Sequence, residues 1–196
     1  MSMETEENTV LLVTGNKYKL EAARKIMGKH GINVDSIDIK PPEIQADSLE
    51  EVAKFSAKFA AEKLGKPVLK ADAGLLIETF GGFPGVYTEY VKRKLGHEGV
   101  LKLMNGIENR NAEIVYALAY CEPGSEPIIF KSGSKGKIAT EAKAKEGMLI
   151  DFIFSPEGEN GKTMGELKEI NPELRQKYWG NAEEQFAQWF TKEKKK

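Results

Sequence analysis

Two carboxylates and one lysine-bearing turn are the residues whose types and placement suit chemistry. Asp72 lies in Val68-Leu69-Lys70-Ala71-Asp72-Ala73-Gly74, between two apolar runs and ahead of the loop Gly81-Gly82-Phe83-Pro84-Gly85. Glu43 follows Pro41-Pro42, and two prolines hold the backbone extended and present the acid. Thr14, Asn16, Lys17 and Lys19 follow the apolar run Thr9–Val13, where a strand hands over to a helix and outward N–H groups favour anions. A lysine there opposes the helix dipole until an anion binds. Carboxylates of this kind suit Mg²⁺, which takes one or two protein oxygens and completes its octahedron with phosphate and water. Such a set suits phosphoryl chemistry, with the metal drawing off charge and a carboxylate orienting or deprotonating a water. Plainer readings stand beside it: an exposed Asp72 at a hairpin turn, an Asn16 that only caps its helix, and solvated lysines.

The elements that must hold these residues are legible in outline. Residues 9–13 read as a buried strand, and Leu20, Ala23, Ile26 or Met27 and His30 trace a helix stopped by Gly31. Residues 32–39 read as a second strand. Ser48 and Glu51 form a capping box for a helix whose apolar face is Leu49, Val52, Ala53, Ala60 and Leu64, broadened by Phe55 and Phe59. Val68 and Leu69 read as the end of a strand. A surface helix is expected over 89–104, a turn at Asn109-Arg110-Asn111, and strands over 112–121 and 127–131 around the turn at Glu122–Ser125. A further strand is expected over 135–139, a loop over 141–148 and a last helix over 172–190 with Leu174, Tyr178, Phe186 and Phe190 buried. Asp151 interrupts the apolar run Leu149–Phe154, and a buried acid there needs a donor or cation.

Composition narrows the function classes. The chain has 196 residues, 40% hydrophobic and 30% charged, with a net charge of −1 that gives nucleic acid no electrostatic footprint. Its single cysteine, Cys121, sits in an apolar run and reads as a buried thiol, compatible with a reducing cytoplasmic setting. His30 and His97 are the only histidines, which argues against a His/Cys zinc site. No apolar run approaches a membrane span, the acidic N-terminus is unlike a secretory signal, and the Walker A pattern is absent. With no repeat and no Gly/Ser linker, residues 1–196 read as one domain with frayed ends at 1–8 and 191–196.

Four segments together carry a resemblance. Thr14-Gly15-Asn16-Lys17-Tyr18-Lys19, Pro42-Glu43-Ile44-Gln45, Asp72-Ala73-Gly74-Leu75 and Gly81-Gly82-Phe83-Pro84-Gly85-Val86-Tyr87 are similar, in order, to the inosine/xanthosine triphosphate pyrophosphatase family, with its archaeal branch nearest. The resemblance implies an α/β fold: a long, mixed, twisted sheet flanked by helices, in two lobes with a central cleft, in a homodimer. It implies Mg²⁺-dependent hydrolysis of ITP, dITP or XTP to the monophosphate and pyrophosphate. By position, Thr14, Asn16 and Lys19 would contact the triphosphate, Glu43 the metal, and Asp72 the metal or the attacking water. Asp151, in the segment that frames the base, would join the substrate contacts.

The chain departs from that pattern at four places. Ala71 stands where the family carries a second acid, leaving Glu50, Glu51 or Glu78 as candidate replacements. Glu89 stands where a lysine is common. Met148-Leu149-Ile150-Asp151-Phe152 replaces an aromatic-glycine-aromatic-Asp-Pro segment. Glu173–Trp179, with Arg175, Lys177 and Trp179, stands where a lysine and then Ser-His-Arg help select the 6-oxo purine. A site that loses hydrogen-bonding partners loses discrimination steeply. Two alternatives therefore stand: a shifted nucleotide substrate, or a protein that binds nucleotide or a protein partner without turnover.

Overall fold

A computed structural model describes residues 8–193. Strand β1 (Thr9–Val13) leads into helix α1 (Lys17–Met27), and β2 (Asn33–Ile37) into α2 (Leu49–Leu64). Then come β3 (Val68–Ile77), β4 (Pro84–Gly85), α3 (Thr88–Lys94), α4 (Gly96–Leu103), β5 (Asn111–Cys121) and β6 (Ile128–Ile138). The chain closes with α5 (Leu149–Ile153), β7 (Phe154–Pro156), α6 (Met164–Ile170), α7 (Pro172–Trp179) and α8 (Ala182–Glu193). The seven strands form one mixed sheet in the order β2-β1-β3-β5-β6-β7, with β4 on β3. β1 is parallel to β2 and β3, and the remaining pairs are antiparallel.

Three apolar clusters support the sheet. Val10, Leu12, Leu69, Ala71, Leu118 and Phe130 meet α1 and α8 through Met27, Phe186 and Phe190. On another face Val68, Ala117 and Ala119 meet Leu49, Ala53, Ala57, Ala60 and Ala61 of α2. The alanines of α2 let that helix lie close to the strands. The third cluster joins Leu75, Ile77 and Ile114 to Met104, Phe154, Met164 and Tyr178.

Several sequence expectations hold and several are corrected. Ser48 accepts from Glu51 N as its cap, but the returning Glu51 carboxylate reaches Asp47 N rather than Ser48 N. Phe55 does not broaden the apolar face of α2, since it is exposed. Val68 and Leu69 begin a strand rather than end one, and that strand carries Asp72 in its middle, so Asp72 is not at a hairpin turn. The two strands expected over 127–131 and 135–139 are one, β6, because β5 pairs with it continuously from Asn111 to Tyr120. The surface helix over 89–104 is two, broken at Leu95–Gly96, and α6 was not foreseen. Cys121, Tyr178, Phe186 and Phe190 are buried as expected. The described chain stays helical through Glu193, and residues 1–7 and 194–196 of the expected frayed ends lie outside the described residues.

The last helix is also two, and Gly180 is the physical reason. Its backbone sits at φ 87° and ψ −153°, and a Cβ there would lie 2.4 Å from Ser132 Cβ. Ser132 Oγ donates to Trp179 O at 2.9 Å and accepts from Ala182 N at 3.2 Å, so β6 grips the break. Gly180→Ala is expected to cost about 2–3 kcal/mol, from strain plus displacement of β6, read as a lower denaturation midpoint.

Candidate active site

Strand register makes the site. β1 pairs with β3 only at Leu11↔Val68 and Leu12↔Leu69, and β4 joins only at Leu75 and Leu76. Between them, residues 70–74 of β3 keep β5 on one side and have no strand on the other. The loop that leaves β1, Thr14 to Asn16, and the first turn of α1 fall at this opening. Lys70 and Asp72 are two residues apart, so they share one face of the sheet above Ala119 and Ala117 of β5. Ala71 and Ala73 face the other way, with Leu118 and Tyr116.

The turn after β1 is held by its own side chains. Thr14 Oγ1 accepts from Asn16 N at 3.1 Å, and Asn16 Oδ1 accepts from Lys19 N at 3.3 Å, so Asn16 does cap the helix. At Gly15 a Cβ would meet the Asp38 carboxylate at 2.8–3.0 Å, so a side chain there would push that carboxylate aside. Lys70 Nζ donates to Val13 O at 3.5 Å, tying the end of β1 to β3 beyond their last paired residues.

Electrostatics bring the predicted residues together. Burial lowers the Lys19 ammonium from its ordinary range, and Asp72, Glu183 and Glu89 pull it back up. Burial also lowers Lys70, and the neighbouring Lys19 charge lowers it further, against Asp72 and Asp38. Burial raises the Asp72 carboxyl, a hydrogen bond from Ala73 N and the charges of Lys19 and Lys70 lower it, and Glu43 raises it again. Lys19, Glu43 and Asp72 thus share one electrostatic neighbourhood, with Thr14 and Asn16 framing its turn. Among the described residues, no three His, Cys, Asp or Glu side chains converge as a closed metal cage. An Asp72 carboxyl whose proton affinity the nearby Glu43 raises instead suits a hard divalent cation completed by substrate oxygens and water.

Asp151 is placed differently. It is 2% exposed, and Arg175 clasps it through Nε at 2.6 Å and Nη2 at 3.2 Å while Met148 N donates at 2.8 Å. Both carboxylate oxygens are engaged, which meets the need for a donor and makes Asp151 an anchor for Arg175. The Arg175 guanidinium in turn lies 5.8 Å from the Trp179 ring centroid, and Trp179 meets Tyr116 edge-on at 6.3 Å.

The candidate replacements for the acid at position 71 are elsewhere. Glu50 pairs with Lys131, Glu51 serves the α2 cap, and Glu78 accepts from Asn109 and Asn111. Ala71 itself packs with Phe186 and Ala187. The acid on that side of the sheet is Glu183 of α8, which sequence reasoning missed together with Lys70, Asp38 and Tyr116. A glutamate in the first turn of a helix reads as ordinary dipole compensation, and nothing local marks it as buried.

The model of the Ham1 family matches residues 10–189. A dITP/XTP pyrophosphatase of Methanopyrus kandleri is 44% identical over 181 residues, covering 92% of this chain and 95% of that protein. The chain belongs to the Ham1 family. A second relative, the dITP/XTP pyrophosphatase of Thermococcus kodakarensis, is 41% identical over 177 residues, 90% of this chain and 94% of its own. The Ham1 fold is equally plain in three dimensions. A Ham1 protein from Coxiella burnetii superposes with a TM-score of 0.80 at 24% identity, covering 94% of this chain and 98% of that one. The Staphylococcus aureus Ham1 protein gives 0.80 at 23%, covering 94% and 99%. The α/β architecture expected from the sequence is therefore that of the Ham1 family, a mixed seven-stranded sheet with eight helices among the described residues.

Proposed function

We propose that this Ham1-family chain is a nucleoside triphosphate pyrophosphatase that cleaves dITP, ITP and XTP to the monophosphate and pyrophosphate with Mg²⁺. The observation that carries the proposal is the gap in strand pairing that leaves Lys70 and Asp72 on an open stretch of β3 beside the end of β1, where the charges of Lys19 and Glu43 also act on Asp72. The named activity of relatives 44% and 41% identical to this chain supports the substrate class.

In this reading Thr14, Asn16 and Lys19 bind the triphosphate, and Lys70 adds a second positive charge beside it. Glu43 and Asp72 would hold the cation, which when bound draws charge from the phosphoryl oxygens. Asp72 also orients the water that attacks the α-phosphorus and takes its proton as pyrophosphate leaves. A carboxyl raised by burial is a better base near neutral pH than an ordinary aspartate. Arg175, fixed by Asp151, and Trp179 beside it would read the base, Trp179 offering a stacking face. That arrangement differs from a Ser-His-Arg motif and favours a second reading in which the chemistry stays and the preferred base shifts.

The deciding experiment measures pyrophosphate release from dITP, ITP, XTP and a panel of ordinary, methylated and pyrimidine triphosphates, with Mg²⁺ and with EDTA. Release from the 6-oxo purines above the others supports the first reading, and a different preference supports the second. No release from any substrate refutes both. The pH profile of kcat/KM carries a further expectation. Asp72 works ionised and is raised by burial, so activity falls as pH drops through a limb above the ordinary aspartate value of about 3.9. Lys19 works charged and is lowered by burial, so activity also falls as pH rises through a limb below the ordinary lysine value of about 10.4.

We infer a homodimer from the apolar surface around the Gly81–Gly85 loop and α3, where Phe83, Tyr87, Tyr90 and Leu95 are exposed. Light scattering tests it. No helix among the described residues is long and apolar enough to cross a membrane.

A further inference from the structure

Lys70 is a half-buried lysine with donors to spare. An ammonium carries three N–H groups. Among the described residues the Lys70 ammonium makes one hydrogen bond, 3.5 Å long, to Val13 O, and no ion pair. That bond fixes where the charge lies: against the last residue of β1, just before the turn of Thr14 to Asn16. The stem rises from the face of β3 that also carries Asp72. Ala119 is opposite Lys70 on β5 and Ala117 is opposite Asp72, so small side chains flank both groups. β1 pairs with β3 no further than Leu12↔Leu69, so no strand covers this edge.

Part of the turn's capacity for anions is already engaged. Asn16 N donates to Thr14 Oγ1 at 3.1 Å, and Lys19 N donates to Asn16 Oδ1 at 3.3 Å. Two amides that a strand-to-helix turn could offer to a phosphate are thus bonded within the turn. Side-chain ammonium groups must then carry more of the charge. Val13 O does not require a full charge as its partner, since a water or a neutral donor would serve it. Burial and the nearby Lys19 charge both disfavour the charged form of Lys70, with Asp72 and Asp38 acting against them. A polyanion between the two lysines would relieve their repulsion.

We propose that Lys70 is a substrate-binding residue that grips the polyphosphate chain directly and does so without the cation. The proposal rests on the reading of this opening as a phosphate site. Lys70 leaves Val13 O and turns its ammonium to a phosphate oxygen, a movement of one flexible stem that leaves the strands in place. The lysines and the carboxylates then have separate tasks. Lys19 and Lys70 hold the phosphates, while Glu43 and Asp72 serve the cation and the water. Anion binding need not wait for the metal.

Calorimetry with inorganic tripolyphosphate in EDTA tests this on the parent, Lys70→Met and Lys70→Arg. The parent is expected to bind. Lys70→Met is expected to weaken that binding about tenfold, the loss of one charge-assisted hydrogen bond. Lys70→Arg keeps the charge and should stay within about threefold of the parent. A role confined to tying β1 to β3 predicts otherwise: a lower melting temperature for Lys70→Met, with tripolyphosphate bound as in the parent. Should Lys70→Met not fold, amine-reactive labelling of the folded parent, read by mass spectrometry, decides. Tripolyphosphate in EDTA is expected to protect Lys70 from the label. Parental binding by folded Lys70→Met, or unchanged labelling of Lys70, overturns the proposal. So does a parent protein that binds tripolyphosphate only with Mg²⁺, or not at all. If Lys70→Met loses binding as expected but the parent releases pyrophosphate from no triphosphate, the hydrolase reading fails and the phosphate anchor stands.

Discussion

Asp72→Asn is expected to lower kcat for pyrophosphate release by about 10²–10⁴-fold while leaving the protein folded. The amide keeps the size and one acceptor, so the strand and the packing over Ala117 persist. It loses the charge that would bind the cation and take the proton of water. The fold has little reason to suffer, because burial already disfavours the Asp72 carboxylate. Functional carboxylates commonly sit where stability alone would not place them. Steady-state kinetics beside a thermal melt give the test. Parental activity would remove Asp72 from the mechanism, and unfolding would show it to be structural.

Arg175→Ala carries the largest expected effect on stability. Asp151 has 3% of its side chain exposed and Arg175 has 18%, and both carboxylate oxygens are engaged. Removing the arginine leaves a buried charge with only Met148 N as donor. Breaking a buried pair from one side costs about 3–5 kcal/mol. For a chain of this size that is a fall in Tm of roughly 6–20 °C, read by differential scanning calorimetry. The paired replacement Asp151→Leu with Arg175→Met should cost much less than Arg175→Ala, because no charge is then left uncompensated. A single-mutant loss below about 1 kcal/mol would mean that water or another cation reaches Asp151. Base selection should change in both variants, since Arg175 and Trp179 stand together in the segment proposed to read the base.

These two acids show how differently the sequence serves the two halves of the site. At Asp72 and Glu43 the local chain was informative: prolines before one, apolar runs around the other, and a strand-to-helix turn bearing Lys19. Those are short-range signals, because turn and strand chemistry act over a few residues. Even there the local reading misjudged the strand, taking Val68 and Leu69 as its end. The break in pairing that exposes residues 70–74 depends on where β1 stops relative to β3, and neither strand encodes that alone. For Asp151 the need for a partner followed from the cost of burying an acid, but the choice of Arg175 did not. Arg175 lies 24 residues away and looks like an ordinary exposed helical arginine.

By itself, the amino-acid sequence indicated most of the strands and helices and singled out the first turn, Glu43 and Asp72 as candidates, while the α/β class followed from the family resemblance of its motifs. Composition, apolar periodicity and turn residues act locally and survive without a fold. Tertiary structure alone decided that β6 is one long strand, that Gly180 splits the last helix, and that Arg175 closes on the buried Asp151. Each of these depends on contacts between segments far apart in the chain. A buried charge gains its partner only when packing brings two distant faces together, and no window of sequence contains both.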